Sequence, residues 1–289
     1  MQIYYFKSHK NKNFGDDLNE WIWDRLIPGW QSWDDEVTLF GVGTIINQQS
    51  TEKYRDSRLL VLGSGVGYGA SLDLESMPRC WDFQSVRGPR SARLLGLPIE
   101  RGIIDPAAMI SEFSEYRNLE KSDAPIFVPH HESVERHDWA SLCQDFGVSY
   151  VSPCGGYKDV IAEIARAPLV FAESMHAAIF AESFRVPWVP VRIGPSFNAE
   201  KWIDVFEAAN LSSSIYQFFP NIDRAERMIR YVPRRRYRRR IRATYERTRL
   251  ISCFEAMMRQ KPILGDATAL DERKSAYRTV LEDVKGRYS

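Results

Sequence analysis

The chain has 289 residues, of which 44% are hydrophobic and 12% are aromatic, so it is long enough and apolar enough to build two domains of ordinary size. Its 39 basic residues nearly balance its 38 acidic ones, which excludes a general electrostatic attraction to nucleic acid or membrane. The four cysteines form no Cys-x-x-Cys pair, so we expect buried, reduced thiols and no zinc knuckle.

The expected location of the protein is the cytoplasm. The first residues turn polar too quickly for a signal peptide. No apolar run approaches the roughly 20 residues that a membrane-spanning helix needs.

The first 122 residues alternate between apolar runs and segments of helical spacing. The predicted strands are residues 3–6, 38–42, 59–62 and 81–87. One helix is predicted to begin near Asp16 or Asp17, either of which can cap it, and another covers residues 91–95, with Pro89 near its entry. Strand, turn and helix in succession are typical of an α/β sheet.

The same alternation resumes after the polar segment 121–123, where we place a domain boundary. The predicted strands are residues 125–129, 148–152, 169–171 and 188–191, and the predicted helices are residues 138–146, 159–165, 177–184 and 199–209. We therefore expect an α/β protein with two Rossmann-like domains that face a cleft, residues 1–122 and 123–215. A helical tail, residues 216–289, is expected to fold back on the first domain.

One histidine lies where an open α/β sheet binds its ligands. His176 falls in the predicted turn between the strand that ends at Phe171 and the helix at 177–184. The free N–H groups of a helix start favour phosphate or carboxylate at this end of the sheet. Imidazole can carry a proton near neutral pH, so His176 is a predicted catalytic residue. The alternative is a structural histidine that bonds a neighbouring carbonyl.

Two adjacent carboxylates follow the first strand. Asp16 and Asp17 lie at the first strand-to-helix turn. Because like charges raise one pKa toward neutrality, one of the pair can deprotonate a hydroxyl group. The alternative is helix capping, and both interpretations hold if one aspartate caps while the other faces the cleft.

Four motifs resemble, in order along the chain, those of the polysaccharide pyruvyl transferases. They are residues 13–19 (Asn-Phe-Gly-Asp-Asp-Leu-Asn, which include Gly15), residues 85–89 with 95–97, residues 105–107 (Asp-Pro-Ala) and residues 173–179 (Glu-Ser-Met-His-Ala-Ala-Ile). Together they span most of residues 1–205. The branch that they resemble is the one that forms pyruvate ketals on exopolysaccharides.

The resemblance implies transfer of a pyruvyl group from phosphoenolpyruvate to a sugar of an exopolysaccharide repeat unit, on a fold similar to that of the GT-B glycosyltransferases. Phosphoenolpyruvate is the donor substrate, and the scheme requires no metal or other cofactor. His176 is assigned to phosphate contact or acid catalysis, and Asp16 or Asp17 to the base on the acceptor side. Many members carry Arg-Leu-His where this chain has Ser174-Met175-His176, so another cation must hold the anion.

Candidates for that cation lie at other strand ends. Arg87 and Arg192 end predicted strands, and Lys201 begins the last predicted helix. His130 and His131 follow a strand, and because adjacent side chains point in different directions we expect only one, His130, to face the cleft. We expect Arg87, His130, Arg192 and Lys201 to bind the anionic groups of the donor, although each alone is compatible with a solvated surface group.

The glycine-rich segment 63–69 follows a strand but gives Gly-x-Gly-x-x-x-Gly in place of the dinucleotide fingerprint. It also lacks the lysine and Ser/Thr of a P-loop. Two interpretations weigh about equally: a close backbone approach to the acceptor sugar, with Gly65 in contact, and a flexible loop. A nucleotide site is the weakest of the three.

An arginine cluster occupies residues 230–242. Eight of these thirteen residues are arginine: Arg230, Arg234, Arg235, Arg236, Arg238, Arg239, Arg240 and Arg242. Such a cluster binds polyanions, and a lipid-linked acceptor would bring it to an anionic membrane at the inner face. No recognition motif accompanies it, so nucleic acid is not an expected partner. A solvated helix face is the other interpretation.

Two other functions stay open at this stage. One is a GT-B glycosyltransferase that uses a nucleotide sugar, and the other is a non-catalytic polyanion-binding protein that uses the arginine cluster.

Overall fold

The computed structural model describes residues 1–8, 12–67, 80–193, 197–212, 214–218 and 235–289, with the backbone alone described over 235–243. The strands of this part of the chain are β1 (Gln2–Tyr4), β2 (Val37–Phe40), β3 (Arg58–Leu62), β4 (Trp81–Ser85), β5 (Ile126–Val128), β6 (Ser149–Tyr150), β7 (Val170–Ala172), β8 (Trp188–Arg192) and β9 (Tyr216–Gln217). Its α-helices are α1 (Phe14–Asp17), α2 (Ile22–Leu26), α3 (Gln48–Lys53), α4 (Pro89–Leu94), α5 (Trp139–Asp145), α6 (Tyr157–Arg166), α7 (Met175–Ser183), α8 (Ala199–Ala208), α9 (Arg235–Met258) and α10 (Ala267–Tyr288).

The first sheet contains β1, β2, β3 and β4 in that order, and all neighbouring strands are parallel. Most residues of β2 and β3 are buried and apolar, as expected of parallel strands that are covered on both faces. The predicted α/β alternation is therefore confirmed in this half.

The second sheet is also parallel, and its strand order is β6-β5-β7-β8-β9. The chain places β6 on one side of β5 and then returns to place β7 on the other side. The strand order thus reverses between β5 and β7, and the loops that leave these two strands diverge. α/β sheets bind ligands in the crevice that such a reversal opens at the carboxyl ends of the strands.

The largest hydrophobic cluster joins the two sheets, and a smaller cluster lies in each half of the chain. The largest one extends from Phe14 and Leu60 in the first half to Val128 and Phe180 in the second. The rings of Phe14 and Phe180 meet edge to face, with their centroids 5.7 Å apart. α7 runs through this cluster and is buried along its whole length, as expected of a helix that is apolar on nearly every side.

Polar contacts also join the two halves. Arg90 and Arg93 of α4 pair with Glu200 and Glu207 of α8, at N–O distances of 2.7 and 2.5 Å. At the C-terminus, α10 lies against the first sheet, where the Tyr277 hydroxyl donates a hydrogen bond of 3.1 Å to the Leu62 carbonyl.

The structure corrects three local predictions. α1 is capped by Asn13, which has the extended backbone that a cap requires, so Asp16 and Asp17 lie inside the first turn. α7 begins at Met175 because Ser174 is its extended N-cap, so His176 is a helical residue and does not lie in the preceding turn. Tyr216–Gln217 pairs with the edge of β8, so a strand precedes the helices of the tail.

Candidate active site

A cavity of about 410 Å³ lies between the carboxyl ends of the two sheets. Its first wall, from the first half of the chain, includes Tyr4, Phe6, Asp16, Thr44, Asn47 and Gln49. Its second wall, at the reversal between β5 and β7, includes His130, His131, Ser174, Met175, His176 and Lys201. The cavity therefore occupies the position at which the strand order predicts a ligand.

His176 lies in the first turn of α7 and is only 6% exposed. Burial, followed by the positive charges of Lys201 and Arg87, lowers the pKa of His176 to about 3, so the imidazole is neutral in the free protein at physiological pH. Its ring packs directly against Gly15, where an added Cβ atom would overlap Nδ1. The absence of a side chain at Gly15, in the first motif, therefore leaves the space that the imidazole of His176, in the last motif, occupies.

Asp105 lies behind the imidazole. Oδ2 of Asp105 is 3.9 Å from Nε2 of His176, and both atoms are buried without a hydrogen-bond partner among the described residues. Oδ1 of Asp105 accepts a hydrogen bond of 2.9 Å from the N–H of Ala107 and so caps the 3-10 helix Pro106–Glu112. Burial raises the pKa of Asp105 to about 6, against the opposing effects of the Ala107 hydrogen bond and of Arg87.

Lys201 supplies positive charge to the second wall. It lies in the first turn of α8, is 7% exposed, and its charge lowers the pKa of Asp16, His130 and His176. The N-cap of α7, Ser174, makes no side-chain capping hydrogen bond and lines the same cavity. A buried ammonium group and a helix N-terminus therefore meet at one site, which is the combination that binds phosphate or carboxylate.

His130 and His131 both line the cavity, so the prediction that only one of them would face it is wrong. The chain enters the 3-10 helix His131–Arg136 directly after His130, and this turn brings the two rings together, with centroids 4.3 Å apart. Burial, then Lys201 and then His131, lower the pKa of His130 to about 2. Both imidazoles thus face the cavity, His130 in its neutral form.

Glu173 fixes the loops that form the second wall. Its buried carboxylate accepts the N–H of His130 after β5 and the N–H of Ile193 after β8, each at 2.9 Å. The backbone of Glu173 itself follows β7 and donates to the Val128 carbonyl at 3.0 Å. A single side chain therefore connects the ends of three neighbouring strands.

The two adjacent aspartates have different environments. Asp16 is buried and lines the cavity, and burial raises its pKa to about 7 against the opposing charge of Lys201. Asp17 is half-buried, and its carboxylate accepts the N–H of Asn13 at 3.2 Å. Asp16 is thus the member of the pair with the position and the pKa of a general base, while Asp17 stabilises the start of α1.

Arg87 lies behind the cavity in a buried ion pair with Asp204. Its Nε and Nη2 atoms are 3.1 and 3.0 Å from Asp204 Oδ2, and further bonds reach Thr44 and the Val66 carbonyl. Gly65 lies against the guanidinium, which an added Cβ atom would overlap. Gly65 therefore accommodates Arg87, and the structure places neither residue among those that line the cavity.

Arg192 is the last residue of β8, and its guanidinium lies over the Phe197 ring, 5.9 Å from the centroid. The described residues that line the cavity do not include it. Arg230 and Arg234 lie outside the described residues, as do the side chains of the other six arginines of the cluster and the end of the glycine-rich segment, Tyr68 and Gly69.

Asp105 and Glu173 are site residues that the sequence reasoning missed. Both lie within motifs that carried the resemblance, residues 105–107 and 173–179. A carboxylate next to a proline or a serine looks like a cap, and nothing local shows that it meets a histidine or a strand end far away in the chain.

Two absences concern the described part of the chain only. There, no three His, Cys, Asp or Glu side chains lie close enough together to share a metal ion. In the same residues, no helix combines the length and the apolar character needed to cross a bilayer.

The cavity at the strand ends of this α/β fold has basic residues in one wall, and two buried carboxyl groups of raised pKa, Asp16 and Asp105, lie at the site. The family model for polysaccharide pyruvyl transferases matches residues 2–195, and the chain belongs to this family, as its motifs predicted. It is 37% identical, over 320 aligned positions that cover the whole of both chains, to the succinoglycan biosynthesis protein ExoV of Rhizobium meliloti (strain 1021). No solved structure gives a significant match. Family membership indicates a pyruvyl transferase acting in polysaccharide synthesis.

Proposed function

We propose that this protein transfers the pyruvyl group of phosphoenolpyruvate to two hydroxyls of one sugar in an exopolysaccharide unit, forming a cyclic ketal. The observation that supports this most is the second wall of the cavity, where Lys201, the N-terminus of α7 and the neutral His176 meet at the strand reversal. The likeness to a succinoglycan biosynthesis protein supports an exopolysaccharide as the acceptor.

The proposed reaction defines what the site must do. Two C–O bonds form between the sugar oxygens and C2 of the donor, and the C2–O bond to phosphate breaks with its electron pair on the phosphate. Of the two protons that the hydroxyls lose, one ends on C3, which becomes a methyl group, and the other ends on the released phosphate. The site therefore needs a base, an acid and a cationic pocket.

The second wall suits the donor. Lys201 and the α7 N-terminus would hold the phosphate, and His176 lies at the same helix end. His176, neutral in the free protein, would gain a proton when the donor brings negative charge next to Lys201, because the donor offsets the charge that lowers the imidazole pKa. It would then return this proton to the donor as the general acid.

The first wall suits the sugar. It has amide and hydroxyl groups at Asn47, Gln49 and Thr44, and the apolar surfaces of Tyr4 and Phe6, of which Phe6 is 50% exposed. Flat apolar rings beside amides are suited to a pyranose, which has a C–H face and a rim of hydroxyls. Asp16 would take the proton of the attacking hydroxyl, since a base with a pKa of about 7 is efficient near neutral pH.

The wider arrangement is part of the same proposal. We propose two Rossmann-like domains in a GT-B-like arrangement, with the boundary near residue 122, because the cavity has one wall from each half of the chain. Arg87 then acts as a structural bridge to Asp204, and Lys201 replaces the arginine that many members carry before the motif histidine.

We further propose that the protein acts at the cytoplasmic face of the membrane on a lipid-linked acceptor, with the arginine cluster of residues 230–242 bound to anionic lipid. Each basic residue near such a surface contributes about 1 kcal/mol. Replacing Arg234, Arg235, Arg238 and Arg239 by Gln should release the protein from vesicles that contain phosphatidylserine. Unchanged sedimentation would mean that the cluster does not bind anionic lipid and is a solvated helix face.

Calorimetry and turnover together test the proposed function. Phosphoenolpyruvate should bind the wild type and Lys158→Ala, an exposed control lysine, equally, and should bind Lys201→Ala about 10- to 100-fold more weakly. Phosphate release should require both phosphoenolpyruvate and a sugar acceptor. Binding of a nucleotide sugar without phosphoenolpyruvate would favour a glycosyltransferase, and binding of an oligonucleotide alone would favour a polyanion-binding protein.

A further inference from the structure

The pair formed by His176 and Asp105 is a buried contact that the fold leaves incomplete. The side chains of His176 and Asp105 are 7% and 2% exposed, and Nε2 and Oδ2 face each other across 3.9 Å. A hydrogen bond needs about 2.7–3.2 Å, so the gap is too long for a direct bond.

Leaving both atoms unsatisfied is costly. A buried polar atom without a partner costs about 1–3 kcal/mol, and here two such atoms lie side by side. The buried carboxylates of Glu173 and Asp204, by contrast, both accept hydrogen bonds. A shift of less than 1 Å of either side chain would close the contact, so the arrangement suits a bond that strengthens during the reaction.

Each partner is already held in the right orientation. Gly15 and the start of α7 fix the imidazole from one side, with Nε2 directed into the protein. The Ala107 N–H holds Oδ1 of Asp105, which leaves Oδ2 to face the histidine. Nε2 faces Asp105, and Nδ1, which lies against Gly15, is the other nitrogen of a residue that lines the cavity.

We propose that Asp105 is a positioning residue for His176: it accepts a hydrogen bond from Nε2–H, stabilises the imidazolium, and thereby leaves the second proton on Nδ1, facing the donor. When that proton passes from Nδ1 to the donor, the imidazole becomes neutral and keeps its Nε2–H on Asp105. This inference rests on the proposed function for the identity of the donor, but the bond itself does not depend on it.

The charges around the imidazole support a need for such a counter-ion. The groups that surround it are Lys201 on α8, Arg87 after β4, His130 after β5, Asp16 on α1 and Asp105 itself. Lys201 and Arg87 both oppose protonation of His176. Asp105, which is ionised above its pKa of about 6, is the carboxylate aimed at the imidazole from the protein side.

Asp105→Asn tests the proposal directly. The Ala107 N–H should hold the amide oxygen, so the amide N–H₂ would face Nε2 and donate to it. In ligand-free protein at pH 8, ¹⁵N spectra of histidine-labelled wild type should show the His176 proton on Nε2. In Asp105→Asn the proton should move to Nδ1, and in the control Asp82→Asn, at the far edge of the first sheet, it should stay on Nε2.

Kinetics supply the second readout. Pyruvyl transfer by Asp105→Asn should have a kcat about 10²–10⁴-fold lower, with an unchanged KM for phosphoenolpyruvate. The alkaline limb of its pH–activity profile should also lie at least about 1 pH unit lower than that of the wild type, because the imidazolium loses its counter-ion. The variant should stay folded, because the cap on Ala107 survives.

The outcomes separate the two proposals. The same tautomer in the wild type and Asp105→Asn, or an unmoved alkaline limb, would overturn the role of Asp105 even if pyruvyl transfer occurs. If the tautomer changes as expected but the wild type shows no pyruvyl transfer, the His176–Asp105 hydrogen bond is supported and the proposed function is overturned.

Discussion

Two buried aspartates, Asp204 and Asp105, lie near Arg87, and they differ in how many hydrogen bonds they accept. Asp204 accepts hydrogen bonds from the Arg87 guanidinium and from both the N–H and the hydroxyl of Ser91. Asp105 accepts one bond from Ala107 and leaves Oδ2 facing His176 at 3.9 Å. A fully bonded carboxylate stabilises one geometry, whereas a partly bonded one is available for a change of charge. We therefore assign stability to the first pair and chemistry to the second.

The largest expected effect is on stability, at Asp204. Asp204→Asn removes the charge that balances Arg87, whose side chain is 1% exposed, and should lower the free energy of unfolding by about 3–5 kcal/mol. Urea denaturation, with Asp82→Asn as the control, measures this. A loss below about 1 kcal/mol in Asp204→Asn would show that the two aspartates do not differ in the way we describe.

The second effect is on catalysis, at Gly15. A Cβ atom in Gly15→Ala would overlap Nδ1 of His176 and force the ring out of its position, so kcat should fall by about 100-fold. Gly286→Ala is the matched control, because a Cβ atom there meets nothing within 4 Å. Unchanged turnover in Gly15→Ala would mean that the position of the imidazole does not limit the reaction.

The third effect is a pH dependence that comes from Asp16. Its pKa in the folded protein, about 7, lies above its ordinary value of 3.8, so the folded state holds the proton more tightly than the unfolded state does. The stability that this contributes is full below pH 4 and is lost as the pH rises through 7. Asp16→Asn has no such titration. Between pH 4 and pH 8, the free energy of unfolding of the wild type should therefore fall by on the order of 2–4 kcal/mol relative to that of Asp16→Asn.

Urea denaturation at pH 4, 6 and 8 follows this effect, with Asp145→Asn as an exposed control. His130 and His176 act in the opposite sense, since their lowered pKa values remove stability as the pH falls below 6.5, but they are common to all three proteins. Parallel curves for the wild type and Asp16→Asn would contradict a raised Asp16 pKa.

The smallest effect is expected at the exposed neighbour of the Arg87–Asp204 pair. Arg90 and Glu200 are 2.7 Å apart, but their side chains are 35% and 54% exposed. Glu200→Gln should therefore cost less than about 1 kcal/mol, and the difference should shrink in high salt. A cost as large as that of Asp204→Asn would show that burial does not set the strength of these contacts.

The sequence predicted the fold better than it predicted the contacts. Apolar runs located the strands of both sheets, because residues buried on two faces leave a continuous signal. The two-residue strand Tyr216–Gln217 was missed, since so short a segment has no periodicity. The return of β7 to the far side of β5, which creates the crevice, is a tertiary event without a local pattern.

The candidate site shows the same limit. His176, Asp16 and Lys201 were predicted from their positions at strand ends and helix starts, and the structure brings all three to one cavity. Arg87 was predicted from the same rule, yet it lies in the buried pair with Asp204, 117 residues further along the chain. A partner at such a separation cannot be identified from one sequence, so the rule located the end of the strand and not the direction of the side chain.

Single-turnover transfer by His176→Ala tests the central claim most directly. Our account predicts a folded protein that binds phosphoenolpyruvate and transfers pyruvate about 10²–10⁴-fold more slowly than the wild type, while His137→Ala, a histidine that packs on Trp139 away from the cavity, transfers normally. A folded His176→Ala protein that transfers pyruvate at the wild-type rate would contradict the assignment of the chemistry to this cavity wall.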